Sequence, residues 1–268
     1  MVSASGGRLT RRIVCAALLV LGAGCVTAPP GPSTREQVLQ RILPATVQIS
    51  LEQDGRRFRS GSGVVVAARP SGQDSECFVL TSGHTLAGFA DPQQVFVLFD
   101  RHRGKKTKVR ARMLAQRESA ELDLALLQVH APQCVTAQLG QPPGLGDAVW
   151  VVAFPWGREM TLVAGVVSQL NPDTAEDSGS HLMVDASVSY GASGGGVFDA
   201  LTGRLIGLVE GYHTARVSFK GDSTGRYIDV PVPGETYVAP LVDIRRFLTE
   251  SGHAGLLGEP PAIAKPRP

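Results

Sequence analysis

Short apolar runs recur along this chain from Thr46 to Ala239, and almost nothing between them carries a helical period. Val47, Ile49 and Leu51 alternate with polar residues, the two-residue period of a strand with one buried face. Asp54-Gly55 follows as a hairpin signal, and Gly63 opens Val64-Val65-Val66. Cys77 to Leu80, Val95 to Phe99 and Leu122 to Val129 continue the rhythm until Pro132 stops it. Gln141-Pro142-Pro143-Gly144 reads as an interdomain linker. Beyond it the pattern returns in Val149 to Ala153, Gly165 to Ser168, Leu182 to Asp185, Val197-Phe198, Leu205 to Val209 and Tyr237 to Ala239. Strands this short, at this spacing, indicate an all-β sandwich or barrels. Two halves of similar strand count around one linker predict two barrels packed together, the first over 45–138 and the second over 144–240. Only Leu241 to Leu248 has a helical pattern, with Leu241, Ile244, Phe247 and Leu248 on one face. A helix is predicted over 241–249, and the Gly/Pro-rich end, 251–268, as a disordered tail.

The N-terminus has a different character. Arg8, Arg11 and Arg12 precede an apolar run from Ile13 to Leu21, then small residues up to Cys25. This is the layout of an export signal over 1–25, too short for a comfortable permanent span. Leu21-Gly22-Ala23-Gly24-Cys25 resembles a bacterial lipobox, although Gly22 stands where that pattern prefers leucine. The resemblance implies lipidation of Cys25 and a membrane anchor; an ordinary cleaved signal is the alternative. Val26 lacks the aspartate that retains some lipoproteins at the inner membrane, so the outer membrane is expected. Residues 26–44 are read as a Pro-rich spacer, from the prolines among Val26 to Ser33.

The formal net charge is +2 and no like-charge run is long, so no nucleic-acid partner is expected. The densest basic stretch, Arg101 to Arg110, reads as a solvated surface hairpin. If Cys15 leaves with the signal and Cys25 is acylated, Cys77 and Cys134 remain as a candidate pair, 57 positions apart. Two buried thiols are the alternative. No His or Cys lies at ligand spacing around either, so no metal or cofactor is expected.

Gly191-Ala192-Ser193-Gly194-Gly195 suits a nucleophile on a tight turn, because small neighbours admit a substrate carbonyl. The string fits both a Gly-x-Ser-x-Gly elbow and the serine turn of trypsin-like enzymes. Chain order separates them. An α/β-hydrolase runs serine, acid, histidine, and only His213 and His253 follow Ser193: one too soon, one in the tail. His84, which follows a strand end, and Asp123, an acid inside an apolar run, precede it. The order His84, Asp123, Ser193 is that of the chymotrypsin arrangement, with the site in a cleft between two barrels.

Gly61-Ser62-Gly63-Val64-Val65-Val66, Leu80-Thr81-Ser82-Gly83-His84, Asp123-Leu124-Ala125-Leu126-Leu127, Gly146-Asp147-Ala148-Val149, Gly165-Val166-Val167-Ser168, Asp185-Ala186-Ser187, the serine turn and Ala239-Pro240 occur in that order. Together they resemble the trypsin-like serine proteases of the HtrA/Deg type, over roughly Ala45 to Leu248. The resemblance implies a protease domain over 45–250. It also implies two six-stranded antiparallel β-barrels of the chymotrypsin fold with a short C-terminal helix. The implied activity is that of an exported serine endopeptidase for protein or peptide substrates, in envelope quality control or processing and facing the periplasm. Ser193 is the implied nucleophile, His84 the base, Asp123 its orienting acid, and the N–H groups of Gly191 and Ser193 the oxyanion hole.

Ser187, Val188, Ser189, Tyr190, Val209, Glu210 and Gly211 are the implied substrate pocket. No acid stands at Ser187, so small or medium apolar residues are expected just before the cut. Ala192 stands where many digestive trypsins carry aspartate, which rules out ordering of the loop by a new N-terminus. Glu210 departs from the family's small hydroxyl residue beside the catalytic aspartate; two nearby carboxylates repel, and one pKa rises. The resemblance also brings Cys77 and Cys134 together, since their strands pair in the first barrel. Too few residues follow Leu248 for the PDZ domain this family often appends. The competing reading is a catalytically silent trypsin-like scaffold acting as a binding or structural lipoprotein.

Overall fold

A computed structural model describes Met1 and residues 34–89, 94–99, 101–104, 106–170, 182–218 and 227–257. The export signal, Cys25 and residues 258–268 lie outside the described residues. Among those described, no helix is long and apolar enough to cross a membrane.

Among the described residues, twelve strands form two closed antiparallel barrels. The first comprises β1 (Thr46–Gln53), β2 (Arg56–Ser71), β3 (Asp74–Thr81), β4 (Gln94–Phe99), β5 (Thr107–Glu118) and β6 (Asp123–Ala131), in the order β1-β2-β3-β6-β5-β4. The second comprises β7 (Ala148–Ala153), β8 (Thr161–Leu170), β9 (Leu182–Val184), β10 (Gly196–Asp199), β11 (Leu205–Ser218) and β12 (Tyr227–Pro240), in the order β10-β11-β12-β9-β8-β7. In each barrel the last ladder returns to the first strand, β4 to β1 and β7 to β10. Closure pairs the first strand of each sheet with the last, so the barrel bodies have no open end strand.

Three apolar clusters hold this arrangement. Val47, Ile49, Val65, Val79, Val97 and Leu127 fill the first barrel, and Val149, Val151, Val184, Val197, Ile206 and Val238 the second. The third joins them: Val64, Leu80, Leu124 and Leu126 of the first barrel meet Val152, Phe198, Leu205 and Leu208 of the second. Strand alternation explains this division. In β6, Ala125 and Leu127 point into the barrel while Leu124 and Leu126 point at its neighbour. Helix α2 (Leu241–Glu250) lays Leu241, Ile244, Phe247 and Leu248 on the third cluster, the face expected from the sequence.

Two expectations need correction. The segment read as spacer contains helix α1 (Arg35–Ala45). Thr34 and Gln37 form a reciprocal capping box at its start, and Val38, Ile42 and Ala45 bury one face in the shared cluster. The prolines that suggested a spacer lie before this cap, and Pro44 falls in the last turn. The basic stretch is the solvated surface hairpin expected: β4 and β5 pair antiparallel from Val95–Ala111 to Phe99–Thr107, with Lys108, Arg110 and Arg112 on the exposed face of β5 and Val109, Ala111 and Met113 packed on the first barrel. The expected tail is folded as far as Leu257, with Leu256 buried.

Cys77 of β3 and Cys134, just after β6, are joined by a disulfide. Antiparallel pairing of β3 with β6 sets Cys77 opposite Val129 and brings the chain beyond β6 back to it.

Candidate active site

The cleft between the barrels is built by segments that leave their strands at its rim. β3 ends at Thr81, and a single 3-10 turn over Gly83–Leu86 turns the His84 side chain toward the second barrel. Gly83 is needed there for space: a Cβ would lie 1.9 Å from the Arg117 carbonyl oxygen. Asp123 opens β6 next to this turn and is 9% exposed. Its Oδ1 accepts the His84 backbone N–H at 2.7 Å and its Oδ2 faces His84 Nδ1 at 2.5 Å.

An ionised carboxylate can only accept, so the proton of the neutral imidazole lies on Nδ1 and Nε2 is an acceptor. Ser193 Oγ stands 2.9 Å from that Nε2, with its O–H as the donor. The Asp123 hydrogen bond lifts His84 above the ordinary imidazole value of 6.5; burial opposes this, and the charges of Asp123, Glu210 and Glu118 reinforce it.

The serine turn is held from both barrels. Gly194, with φ of +80°, fits only as glycine, because a Cβ would lie 2.2 Å from the Ser62 carbonyl oxygen. Ser62 of β2, fully buried, meets the turn with two of its groups and makes three hydrogen bonds with them. Its backbone N–H donates to the Ser193 carbonyl at 2.8 Å, its hydroxyl donates to the Gly191 carbonyl at 2.8 Å, and the same oxygen accepts the Phe154 N–H at 2.8 Å. Trp156, the only described residue besides Asp54 that holds a positive φ without being glycine, donates its backbone N–H to the Tyr190 carbonyl at 2.6 Å. With the Tyr190 and Gly191 carbonyls both engaged, the N–H groups of Gly191 and Ser193 have no protein acceptor among the described residues. Two paired carbonyls therefore order the loop without the aspartate that Ala192 replaces.

The cleft measures about 740 Å³ and is lined by His84 and Ser193 together with Tyr190, Gly191, Glu210 and Gly211 of the expected pocket. Ser187, Val188 and Ser189 line a different cavity, of about 390 Å³, behind the serine turn and against Ala192. Val209 is buried in the second barrel, where its carbonyl accepts from Gly194 N–H and Ser82 Oγ. These four residues lie off the cleft surface, because the irregular segment after β9 passes on the Ala192 side of the turn and Val209 points into the core of the second barrel. Residues not anticipated as functional complete the wall: Arg57, Phe58 and Arg59 of β2, Trp156, and Tyr212 and Thr214 of β11. Trp156 packs on Tyr190 at 5.1 Å between ring centroids, and Tyr190 on Tyr212 at 5.7 Å. The i, i+2 spacing of Arg57 and Arg59 was the signal in the sequence for two cations on one strand face.

Glu210 faces the His84–Asp123 pair as its position implies. Burial raises its carboxyl from 4.5 to about 7; repulsion from Asp123 and Asp243 adds to this, and His84 opposes it.

Residues 61–208 match the trypsin-like peptidase domain family. The chain belongs to that family. This trypsin-like peptidase is similar to a probable periplasmic serine protease Do/HhoA-like from Haemophilus influenzae, at 32% identity over 66% of this chain and 35% of the relative. It is likewise similar to a probable periplasmic serine endoprotease DegP-like from Hahella chejuensis, at 32% identity over 64% of this chain and 34% of the relative. The chain thus spans about a third of the length of these curated relatives. In fold it is similar to the crystal structure of a serine endoprotease from Yersinia pestis, with a TM-score of 0.60 and 21% identity over 84% of this chain and 69% of the other.

Proposed function

We propose that this protein is a serine endopeptidase that hydrolyses peptide bonds of protein substrates in the cleft between its barrels. The observation that carries the reading is the continuous line from Asp123 through His84 to Ser193 Oγ, ending beside two N–H groups that have no acceptor among the described residues.

The chemistry follows from that line. As Ser193 Oγ bonds to the scissile carbonyl carbon, its proton passes to His84 Nε2. The negative charge moves to the carbonyl oxygen, where the N–H groups of Gly191 and Ser193 receive it, an effect worth roughly 3–4 kcal/mol per donor in a comparable hydrolase. Asp123 stabilises the imidazolium without taking its proton. His84 then passes that proton to the leaving nitrogen as the carbon–nitrogen bond breaks. Water, deprotonated by His84, then attacks the acyl carbon; as the bond from that carbon to Ser193 Oγ breaks, His84 returns the proton to Oγ and the acid product leaves.

Export to the bacterial envelope, with action in the periplasm on misfolded or precursor proteins, completes the reading. The N-terminal signal pattern and the periplasmic designations of the relatives support it. Cys25 is the proposed attachment point of a lipid anchor to the outer membrane. Purified protein lacking residues 1–25 is expected to degrade unfolded casein, and its Ser193→Ala and His84→Ala variants are not. Undiminished cleavage by Ser193→Ala contradicts the assignment.

A further inference from the structure

Two cations line the cleft without a counter-charge. Arg57 Nη1 donates to the Gly157 carbonyl at 2.7 Å; Arg59 Nη1 donates to the Ala87 carbonyl at 2.7 Å and to that of His84 at 3.3 Å. Both side chains border the same cleft as Ser193. Neither has a carboxylate partner among the described residues. Each guanidinium carries five N–H donors and spends one nitrogen on backbone, so the remaining donors of a partly pinned group face the open cleft.

Their place in the cleft can be stated relative to the reaction. The leaving amine collects its proton from His84, so the chain beyond the scissile bond departs over the wall that carries His84. Arg59 is bonded to the backbone of His84 itself. Arg57 is bonded to Gly157, next to the Trp156 that fixes the serine turn. The carboxyl of Glu210, with Gly211, Tyr212 and Thr214, lies on β11 of the other barrel. The cleft is therefore cationic on its leaving-group wall. Alternate residues of β2 stand about 7 Å apart, the same repeat as alternate side chains of an extended substrate.

We infer that Arg57 and Arg59 form an anion-binding subsite that selects substrates carrying aspartate or glutamate within the few residues after the cut. This rests on the endopeptidase reading for the direction of the chain. A guanidinium already held by a backbone carbonyl loses less side-chain entropy on pairing with a carboxylate, and fork geometry favours carboxylate over neutral amide.

Three internally quenched, C-terminally amidated peptides test the inference. They share one acyl half and carry Glu, Gln or Lys at alternate positions of the leaving half. The expected order of kcat/KM is Glu, Gln, Lys, with about tenfold between Glu and Lys at low salt and a smaller ratio in 0.5 M NaCl. Arg57→Gln with Arg59→Gln removes the preference, and Arg57→Gln alone, which leaves the contacts to His84 intact, reduces it. Equal turnover of the Glu and Lys peptides by the wild type, or a preference unchanged in the double variant, overturns the inference. If the wild type cleaves none of the peptides, the endopeptidase reading is what fails. Binding of the same three peptides to Ser193→Ala, followed by fluorescence anisotropy, then decides the subsite alone: tighter binding of the Glu peptide upholds it, and equal binding sinks it.

Discussion

Replacing Glu210 with glutamine keeps the size of the side chain and removes its charge. In the folded protein the Glu210 carboxyl is raised from 4.5 to about 7, by burial first and then by Asp123 and Asp243, with His84 opposing. The folded state thus holds a proton that the unfolded chain releases. Below pH 4.5 both states are protonated and the group costs nothing. As pH rises from 4.5 toward 7 only the unfolded chain gains by ionising, so stability falls, and above 7 the loss is complete. The gap between 4.5 and about 7 corresponds to about 3 kcal/mol, which solvent contact at this half-buried group reduces to about 2 kcal/mol.

Urea denaturation of both proteins at pH 4 and pH 8 measures it. Glu210→Gln and wild type are expected to match at pH 4, and the variant to be more stable by about 2 kcal/mol at pH 8. The ionised Glu210 also helps hold the His84 pKa up. Without it, the acid limb of the kcat/KM profile moves to lower pH, because His84 loses its proton sooner. A stability difference independent of pH, or a wild type more stable at pH 8, refutes the reasoning.

Two further substitutions probe the frame of the site. Ser62→Ala leaves the Gly191 carbonyl without its donor and the Phe154 N–H without its acceptor. Each unsatisfied buried group costs about 1–3 kcal/mol, so kcat is expected to fall tenfold or more with KM little changed and a lower melting temperature; an unchanged kcat contradicts this. Cys77→Ser with Cys134→Ser opens a closure of 57 positions, with an expected loss of about 4 kcal/mol in unfolding free energy by denaturant titration. A stability unaffected by the loss of the bridge removes its structural role.

The strand rhythm was legible because barrel-facing apolar residues recur at every second position, as in Val47, Ile49 and Leu51. Helix α2 was legible because Leu241, Ile244, Phe247 and Leu248 share one face. Helix α1 was hidden: only Val38, Ile42 and Ala45 are buried, and the prolines upstream dominate the local composition. Strand β5 was hidden because Lys108, Arg110 and Arg112 alternate with the residues that pack, so charge masked the period. Chain order and short motifs made the meeting of His84, Asp123 and Ser193 legible. The supports of the serine turn were not. Ser62 reaches Gly191 across 129 positions and Arg57 reaches Gly157 across 100, contacts that only the docking of the two barrels creates. Ser187, Val188 and Ser189 lie behind the turn in a cavity lined by second-barrel residues such as Val151, Ala153 and Val163, a placement that spacing along the chain does not reveal.

The claim on which the rest depends is that Ser193 is a nucleophile activated by His84. Reaction of the purified protein with a fluorophosphonate probe, followed by intact-mass and peptide mass spectrometry, tests it most directly. One adduct per chain is expected, on the peptide containing Ser193, with none in Ser193→Ala and strongly slowed labelling in His84→Ala. A wild type left unlabelled while folded, or an adduct that persists in Ser193→Ala, contradicts the account.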